Sequence, residues 1–433
     1  MKRRDFLKNT VPAGILLPSL VSGFSFKVFG ASSVFAAALQ MQAEENDHIL
    51  VLIQLNGGND GLNTLIPLEN FANYANARSN IFIPENKVLK LTGVDKAGLH
   101  PAMTGLQSLF NDGKLNIIQS VGYPQPSFSH FRATDIWMSA SDSNRVVNSG
   151  WAGRYLDYQY PNFPTGYPNA SMKDPLAIQI GSATSLTMQG PSVNMAMSIS
   201  NPNNFYNLIN GVQDPAPATP AGKELTYIRQ VTQQTQQYAS VIKDAAAKVP
   251  TQVTYPSNNT LADQLKIVSR LIKGGLKTRV YMVSIGGFDT HATQVNAGDT
   301  TTGTHATLLG RVSDAIKAFQ NDLAFLGIDD KVVGMTFSEF GRRIKSNGSS
   351  GTDHGAAAPV LVFGKQVIGG VTGNTPNFGS SVGVGDNVPF QYDFRSVYST
   401  LLSNWLCVDE ADLQQIMLKN FQNLPLVSGA VCK

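Results

Sequence analysis

The 433-residue sequence has few charged residues and no long apolar run. Asp, Glu, Lys and Arg together make up 15% of the chain, whereas 42% of the residues are hydrophobic. This composition supports a sizeable buried core and excludes global disorder. No apolar run reaches the roughly 18 residues that a membrane-spanning helix needs, which excludes a multi-span membrane protein. The length suits two typical domains or one large α/β domain with an insertion.

Cysteine is also scarce. With two cysteines, Cys407 and Cys432, the chain can form one disulfide at most. In an oxidising compartment, a disulfide and two free thiols are about equally consistent with the sequence. Neither cysteine has the neighbours expected of a nucleophile or a metal ligand.

Outside the N-terminus the chain has no excess of positive charge. The formal charge of the whole sequence is +3, but residues 1–38 hold five Lys or Arg side chains and one Asp. The rest of the chain therefore carries a formal charge of −1. Nucleic-acid binding needs a basic surface, so this balance argues against a nucleic-acid partner.

The first 38 residues have the pattern of an export signal. A twin-arginine sequence, KRRDFLK at residues 2–8, precedes a modest apolar stretch at 11–26 and three alanines at 36–38. Pro12 and Pro18 argue against an ordinary first helix, and the stretch is too short for a stable membrane span. We predict a twin-arginine signal over residues 1–38, recognition by the twin-arginine export machinery, and a periplasmic or secreted protein.

After this leader, short apolar runs alternate with amphipathic helical segments. The runs end at Gly, Asn or other polar residues, and the helical segments carry apolar stripes. This alternation predicts an α/β fold with a mainly parallel sheet and helices on both faces. The predicted strands are 48–55, 115–121, 278–285, 331–337 and 359–363, and the predicted helices are 101–111, 261–272, 305–326 and 393–405.

Residues from about 155 to 260 depart from this alternation. They contain loops rich in Tyr, Asn and Pro, a proline-rich stretch at 214–217 and a Gln-rich helix near 229–247. We interpret them as an inserted cap region within a single domain that spans residues 39–433.

Polar side chains follow four of the predicted strands. Because the carboxyl ends of parallel strands meet at one edge of a sheet, where ligands bind, we expect these side chains to lie together. Carboxylates and imidazoles without thiolates suit a divalent cation such as Zn²⁺, Mn²⁺, Mg²⁺ or Ca²⁺. The candidates that follow these strands include Asp60, Asp289, His291, Glu339 and His354.

Taken alone, most of these residues also have an ordinary structural interpretation. Asp60 fits a turn, and Asp289 fits a helix N-cap about as well as a ligand. Glu339 is typical of a surface ion pair with Arg342 or Arg343. A metal site therefore requires that these side chains lie close together in the folded protein.

Most of the remaining candidate residues also have a structural interpretation. Ser129 with His130 is more typical of an N-cap than of a nucleophile, whereas His354 lies in a Gly-rich loop with no apolar face. A G-x-S-x-G pattern at 379–383 lacks the flanking strand and helix of a nucleophile elbow, which predicts a loop. We interpret three further histidines as structural: His48, His100 and His305.

Several short motifs follow one another along the chain, and each occurs once. After the leader they are LIQLNGGNDGLNTLIPL (52–68), LHP (99–101), SHF (129–131), GGFDTH (286–291), SEFGRR (338–343), TDHG (352–355) and DFRSVY (393–398). In this order they resemble the bacterial family called domain of unknown function 1501. That family is similar to the alkaline phosphatase-like superfamily of phosphatases, sulfatases and phosphomutases, which implies the same α/β fold.

The resemblance implies that Asp60, Asp289, His291, Glu339 and His354 are the metal ligands. It implies Ser129 as the nucleophile, with His130 beside it in the catalytic set and Ser127 as the second choice. It implies that Arg342 or Arg343 binds the phosphate or sulfate of the substrate. Phe340 stands where the superfamily has a histidine ligand, so one ion is consistent with the sequence as well as two.

The sequence and the resemblance together predict an exported, metal-dependent hydrolase of phosphate or sulfate esters with a serine nucleophile. Its partner would be a small anionic ester or an anionic glycan. The alternative is a non-catalytic secreted binding or assembly protein on the same scaffold.

Overall fold

The computed structural model describes residues 46–200, 237–428 and 432 of the chain. The predicted signal at 1–38 and the proline-rich stretch at 214–217 lie outside the described residues. The strands are β1 (Ile49–Leu55), β2 (Leu65–Ile66), β3 (Leu89–Leu91), β4 (Val94–Leu99), β5 (Leu115–Gly122), β6 (Ala177–Ile180), β7 (Ala196–Ile199), β8 (Val280–Ile285), β9 (Val332–Phe337), β10 (Ala358–Phe363), β11 (Gly370–Thr372) and β12 (Tyr392–Asp393).

The helices lie between these strands and after the last of them. They are α1 (Gly61–Thr64), α2 (Phe71–Ala77), α3 (Thr104–Asn111), α4 (His130–Ser139), α5 (Trp151–Gln159), α6 (Thr260–Lys273), α7 (Thr304–Phe325), α8 (Phe394–Thr400) and α9 (Glu410–Met417). Residues 237–247 are also helical, and a π-helical turn at Leu401–Trp405 extends α8. Asp393 caps α8 by accepting a hydrogen bond from the Arg395 backbone N–H at 3.0 Å.

The main sheet is mostly parallel. Its strand order is β11-β5-β10-β9-β1-β8-β6-β7, with β12 paired to β5. Strands β1, β8 and β9 are parallel neighbours, and β10 is antiparallel to both β5 and β9. A separate antiparallel sheet contains β2, β4 and β3. The predicted α/β fold with a mainly parallel sheet is confirmed.

Strand β1 shows why helices cover both faces of the sheet. All seven of its residues are buried, and successive side chains of a strand point to opposite faces. Val51 and Ile53 join a core that includes residues of α3, α6 and α7, whereas Leu50 and Leu52 join a second core with residues of α4, α5 and α8. A strand that is buried on both faces has a nearly continuous run of apolar residues in its sequence. This pattern predicted β1.

The interpretation of residues 155–260 as an inserted cap needs correction. Strands β6 and β7 come from this segment, and they extend the main sheet beyond β8 in parallel pairing. Each strand has four residues, so its apolar run is too short to stand out from the surrounding loops. This part of the segment therefore belongs to the sheet itself.

The other predicted elements are observed. Each predicted strand lies within two residues of an observed one, and the predicted helices correspond to α3, α6, α7 and α8. Residues 379–383 form a loop. Cys407 and Cys432 form a disulfide. Among the described residues no helix combines the length and apolar character of a membrane span, and those from Asp47 onward belong to one compact unit.

Candidate metal centre

The carboxyl ends of four strands meet at one edge of the main sheet. Strands β1, β8 and β9 are mutually parallel, and β5 runs in the same direction because β10 is antiparallel to both β5 and β9. The segments that follow these strands carry the predicted polar residues, at the edge where α/β proteins bind ligands.

The carboxylate of Asp289 lies among three imidazole rings. Its Oδ1 atom is 3.2 Å from His291 Nε2 and 3.2 Å from His354 Nε2, and its Oδ2 atom is 3.5 Å from His130 Nε2. Ligand atoms of His130, Asp289 and His354 all lie within 4.8 Å of one another, which is close enough to share one metal ion. The structure thus brings Asp289, His291 and His354 together, with His130 as a fourth member.

The other nitrogen of each ring is held by an oxygen atom. These oxygens are Glu339 Oε1 for His130 (2.8 Å), Asp353 Oδ1 for His291 (3.2 Å) and the Phe128 carbonyl for His354 (2.8 Å). A carbonyl oxygen accepts and does not donate, so the His354 Nδ1 atom carries the proton. Metal-binding histidines have this arrangement, in which one nitrogen donates to a carboxylate or carbonyl and the other binds the ion.

The nitrogens that face Asp289 are consequently lone-pair donors. The Nε2 atoms of His291 and His354 are 2.9 Å apart. When both Nδ1 atoms carry the proton in neutral rings, two Nε2 lone pairs face each other at this distance and repel unless a proton or a cation lies between them. The donor set therefore fits a cation that accepts imidazole nitrogens and one carboxylate.

Asp289 is anionic in this setting. Partial burial opposes its ionisation, but the hydrogen bond and the charge of Arg342 outweigh this effect and lower the pKa of Asp289 to about 2. The Arg342 Nη2 atom is 2.7 Å from Asp289 Oδ1. The carboxylate thus offers a negative charge to a cation at neutral pH.

Arg342 was predicted as a substrate-binding residue, and the structure contradicts this. Its side chain is fully buried. Besides the bond to Asp289, its guanidinium donates to the backbone carbonyls of Gly57, Gly58, Phe288 and Thr352. Arg342 ties together the loops that follow β1 and β8, and its full burial keeps the guanidinium away from a substrate.

Asp60, a predicted metal ligand, does not join the cluster. Its carboxylate is fully buried, and Oδ2 accepts from Arg78 Nη1 and Gln294 Nε2, both at 2.6 Å. Burial opposes ionisation of Asp60, but the Arg78 charge outweighs it and lowers the pKa of the carboxyl. The structure does not support Asp60 as a ligand, and no second metal-capable group of His, Cys, Asp or Glu is found in the described ranges.

Glu339 contacts the cluster through His130. It is buried, and its Oε1 atom accepts from the Gly57 backbone N–H at 2.8 Å as well as bonding His130 Nδ1. Gly57 has φ +120°, and a Cβ atom there would lie 2.3 Å from the Asp289 backbone nitrogen, so a side chain does not fit. Glu339 thus lies on the side of the His130 ring opposite Asp289, where it orients the ring.

The predicted nucleophile lies beside the cluster. Ser129 precedes α4, is exposed and makes no capping hydrogen bond, whereas Ser127 Oγ accepts from the Ser129 backbone N–H at 3.3 Å. The neighbouring residues on both sides contact the cluster, since Phe128 holds His354 and His130 is a member. The Arg343 guanidinium stacks over the Phe128 ring at 4.6 Å, at the rim of the same site.

Three contributors to the site were not predicted from the sequence. Asp353 orients His291, and it directly precedes His354, which is the one signal that could have identified it. The Phe128 carbonyl and Arg78 carry no such signal. Their roles depend on contacts across 226 residues for Phe128 and 18 residues for Arg78.

The three remaining histidines have structural contacts. His48 stacks on Trp405 with ring centroids 4.1 Å apart. His100 accepts a hydrogen bond from the Ala102 backbone N–H, and His305 Nε2 is 3.0 Å from Asn59 Oδ1. Burial lowers the pKa of His100 to about 3 and that of His305 to about 4, so both rings are neutral at pH 7.

Three solved structures illustrate what this chain is similar to. The PsFucS1 sulfatase from Pseudoalteromonas sp. is 11% identical, with a TM-score of 0.36 and 90% of this chain aligned to 73% of that one. A protein in the alkaline phosphatase superfamily from Vibrio parahaemolyticus is 10% identical (TM-score 0.34, 76% and 62% covered). The C-terminal periplasmic domain of EcEptC from Escherichia coli, in complex with Zn, is 10% identical (TM-score 0.36, 89% and 94% covered).

These similarities are distant, with identities of 10–11%. No curated protein matches the sequence. A family model described as "Protein of unknown function (DUF1501)" matches residues 47–391, which is most of the chain and includes every residue of the cluster. The chain therefore belongs to the DUF1501 family.

Proposed function

We propose that this protein binds one divalent cation and hydrolyses phosphate or sulfate esters outside the cytoplasm. Asp289 and the Nε2 atoms of His130, His291 and His354 would hold the cation. One observation carries the proposal, namely the 2.9 Å approach of the His291 and His354 Nε2 atoms while their Nδ1 atoms face oxygen acceptors.

The donor set selects among the cations. Three imidazole nitrogens and one carboxylate suit Zn²⁺ or Mn²⁺ better than Mg²⁺ or Ca²⁺, which prefer oxygen ligands. A single ion is favoured because the described residues contain one group of His, Cys, Asp or Glu side chains that could hold a metal ion.

The residues around the cluster have separate tasks in ester hydrolysis. Ser129 Oγ attacks the phosphorus or sulfur atom, the bond to the ester oxygen breaks, and the departing alkoxide takes up a proton. Water then hydrolyses the seryl ester, releases phosphate or sulfate and restores the hydroxyl. When bound, the cation supplies Lewis-acid stabilisation of the non-bridging oxygens and lowers the pKa of a neighbouring hydroxyl.

Groups at the rim of the site bind the phosphate or sulfate group of the substrate. Arg343 is half-buried beside Phe128, and its guanidinium suits a phosphate or sulfate oxygen, a role that buried Arg342 cannot fill. Ser129 precedes a ten-residue helix, whose first backbone N–H groups favour an anion. The substrate is a small anionic ester or an anionic glycan, and the twin-arginine leader directs the protein to the periplasm or the medium.

The test compares four purified proteins: wild type, Asp289→Ala, Ser129→Ala and the exposed carboxylate control Asp95→Ala. Each is loaded with Zn²⁺ or Mn²⁺, dialysed and analysed for metal content and for turnover of p-nitrophenyl phosphate and sulfate. We expect Asp289→Ala to lose ion and turnover, Ser129→Ala to lose turnover alone, and Asp95→Ala to behave as wild type.

Other outcomes correct the proposal in definite ways. A wild-type protein that retains one ion without turnover of either ester favours the binding or assembly protein. A wild-type protein that retains no ion contradicts the metal centre. Full turnover in Ser129→Ala assigns the nucleophile to Ser127 or to water.

A further inference from the structure

The most exposed large apolar side chain among the described residues lies next to the cluster. Phe131 is 87% exposed, and it follows His130 in the first turn of α4. A lone exposed apolar residue needs no explanation by itself. Phe131 differs because it lines an open depression that His130 and Glu339 also line.

The lining of this depression combines one aromatic ring with polar groups. Its volume is about 380 Å³, within the range of small-molecule sites. Phe131, Thr134 and Asp135 lie on one face of α4. Residues three and four positions apart are neighbours on the surface of a helix. Asn56 and Gly57 complete the lining from the loop after β1.

We propose that this depression is the leaving-group subsite and that it takes a carbohydrate, so that the ester is a sugar phosphate or sugar sulfate. This inference rests on the hydrolase activity proposed above. The apolar C–H face of a pyranose ring packs against the Phe131 ring, while Asn56, Thr134 and Asp135 bond the hydroxyl groups at its rim.

The balance of polar and apolar lining selects a sugar over other leaving groups. A sugar offers hydroxyl groups to the carboxylate, amide and hydroxyl of the lining, whereas an aryl or alkyl leaving group offers them no hydrogen-bond partner. The negative charge of Asp135 also disfavours a second sulfate or phosphate at this position. The subsite is therefore specific for a sugar that carries its single anionic group at the reacting position.

The experiment separates this subsite from the hydrolase activity. Wild type, Phe131→Ala, Phe131→Trp and the exposed control Phe325→Ala are compared on glucose 6-phosphate and methyl phosphate, and on galactose 6-sulfate and methyl sulfate. Binding of neutral methyl β-galactopyranoside is followed in parallel by saturation-transfer NMR, which needs no turnover. Phe325 ends α7, is 61% exposed and does not line the depression.

We expect Phe131→Ala to lower kcat/KM for the sugar esters by about tenfold, to leave the methyl esters unchanged and to abolish the NMR signal. Phe131→Trp retains all three properties, and Phe325→Ala equals wild type. An NMR signal that is lost in Phe131→Ala, in a protein that hydrolyses none of the esters, supports the subsite and contradicts the hydrolase.

Three results overturn the subsite. The first is an equal loss on sugar and methyl esters in Phe131→Ala. The second is sugar binding that persists in Phe131→Ala or is absent from the wild type. The third is a response to Phe131→Ala that is absent with the sugar esters but present with p-nitrophenyl phosphate and sulfate, which are assayed on the same variants. This result would assign the depression to an aryl group.

Discussion

His291 and His354 face each other with their Nε2 atoms 2.9 Å apart, although 63 positions separate them in the sequence. Each ring is fixed from behind, His291 by the Asp353 carboxylate and His354 by the Phe128 carbonyl. Rings that are oriented in this way need no rearrangement to accept an ion, which is the advantage of partners behind metal ligands.

The bond between Glu339 and His130 predicts an effect on cation affinity. Glu339→Gln weakens the acceptor that orients His130, so we expect the dissociation constant for Zn²⁺ to rise by about 10- to 100-fold. Competition with a chromophoric chelator measures this dissociation constant. Glu69→Gln, which changes an exposed glutamate bonded to Lys96, serves as the control. Equal affinities of Glu339→Gln and wild type would contradict a positioning role.

The buried pair of Asp60 and Arg78 predicts a large effect on stability. Arg78→Met leaves the Asp60 carboxylate buried without its counter-charge, which costs about 3–5 kcal/mol of unfolding free energy. Lys96→Ala, which breaks an exposed pair with Glu69, costs about 0–1 kcal/mol. Urea unfolding measures both.

A double variant keeps this prediction testable if Arg78→Met does not fold. Asp60→Asn combined with Arg78→Met removes both charges, so we expect it to recover much of the lost stability. It also retains the cation, since Asp60 is not among the ligands. Loss of the cation in a folded double variant would return Asp60 to the ligand set.

Neutral His305 predicts that stability depends on pH. Its pKa is about 4 in the folded protein and 6.5 ordinarily, so between these values the unfolded chain binds more protons. Stability therefore falls as the pH drops from 6.5 to 4, by on the order of 3 kcal/mol from this ring. His305→Gln, which does not titrate, makes the slope shallower in urea unfolding at several pH values. His100 leaves a residual slope, and an unchanged slope would contradict the assignment.

The disulfide predicts a response to reductant. Cys407 and Cys432 are 25 residues apart, and closing a loop of this length stabilises a protein by about 3 kcal/mol. We expect the Tm of wild type to fall under strong reductant to that of Cys407→Ser with Cys432→Ser, while the double variant does not respond. A Tm that is the same with and without reductant would show that the bond contributes no stability.

Much of the fold was predictable because its signals are local. Strand β1 is an apolar run with one polar residue, Gln54, and α7 has an apolar stripe over 22 residues. Strands β6 and β7 were missed because four-residue strands carry little pattern of their own. Their place in the sheet follows from pairing with β8, which no local pattern encodes.

The candidate site was predictable as a set of residues but less so in its roles. Asp289, His291 and His354 follow strand ends, so the topology brings them to one edge. Glu339 was predicted as a metal ligand and Arg342 as a substrate-binding residue, and a surface ion pair was the ordinary alternative for Glu339. In the structure both are buried, since Gly57 and its neighbours supply the hydrogen bonds that burial requires.

The amino-acid sequence by itself determined the alternation of strands and helices, the family, and the side chains at the carboxyl edge of the sheet, because periodicity and motif order are properties of neighbouring positions. Tertiary structure alone decided which atoms meet. It pairs Asp60 with Arg78 and turns three imidazoles toward Asp289, because a hydrogen bond depends on separations of about 3 Å that long-range packing sets.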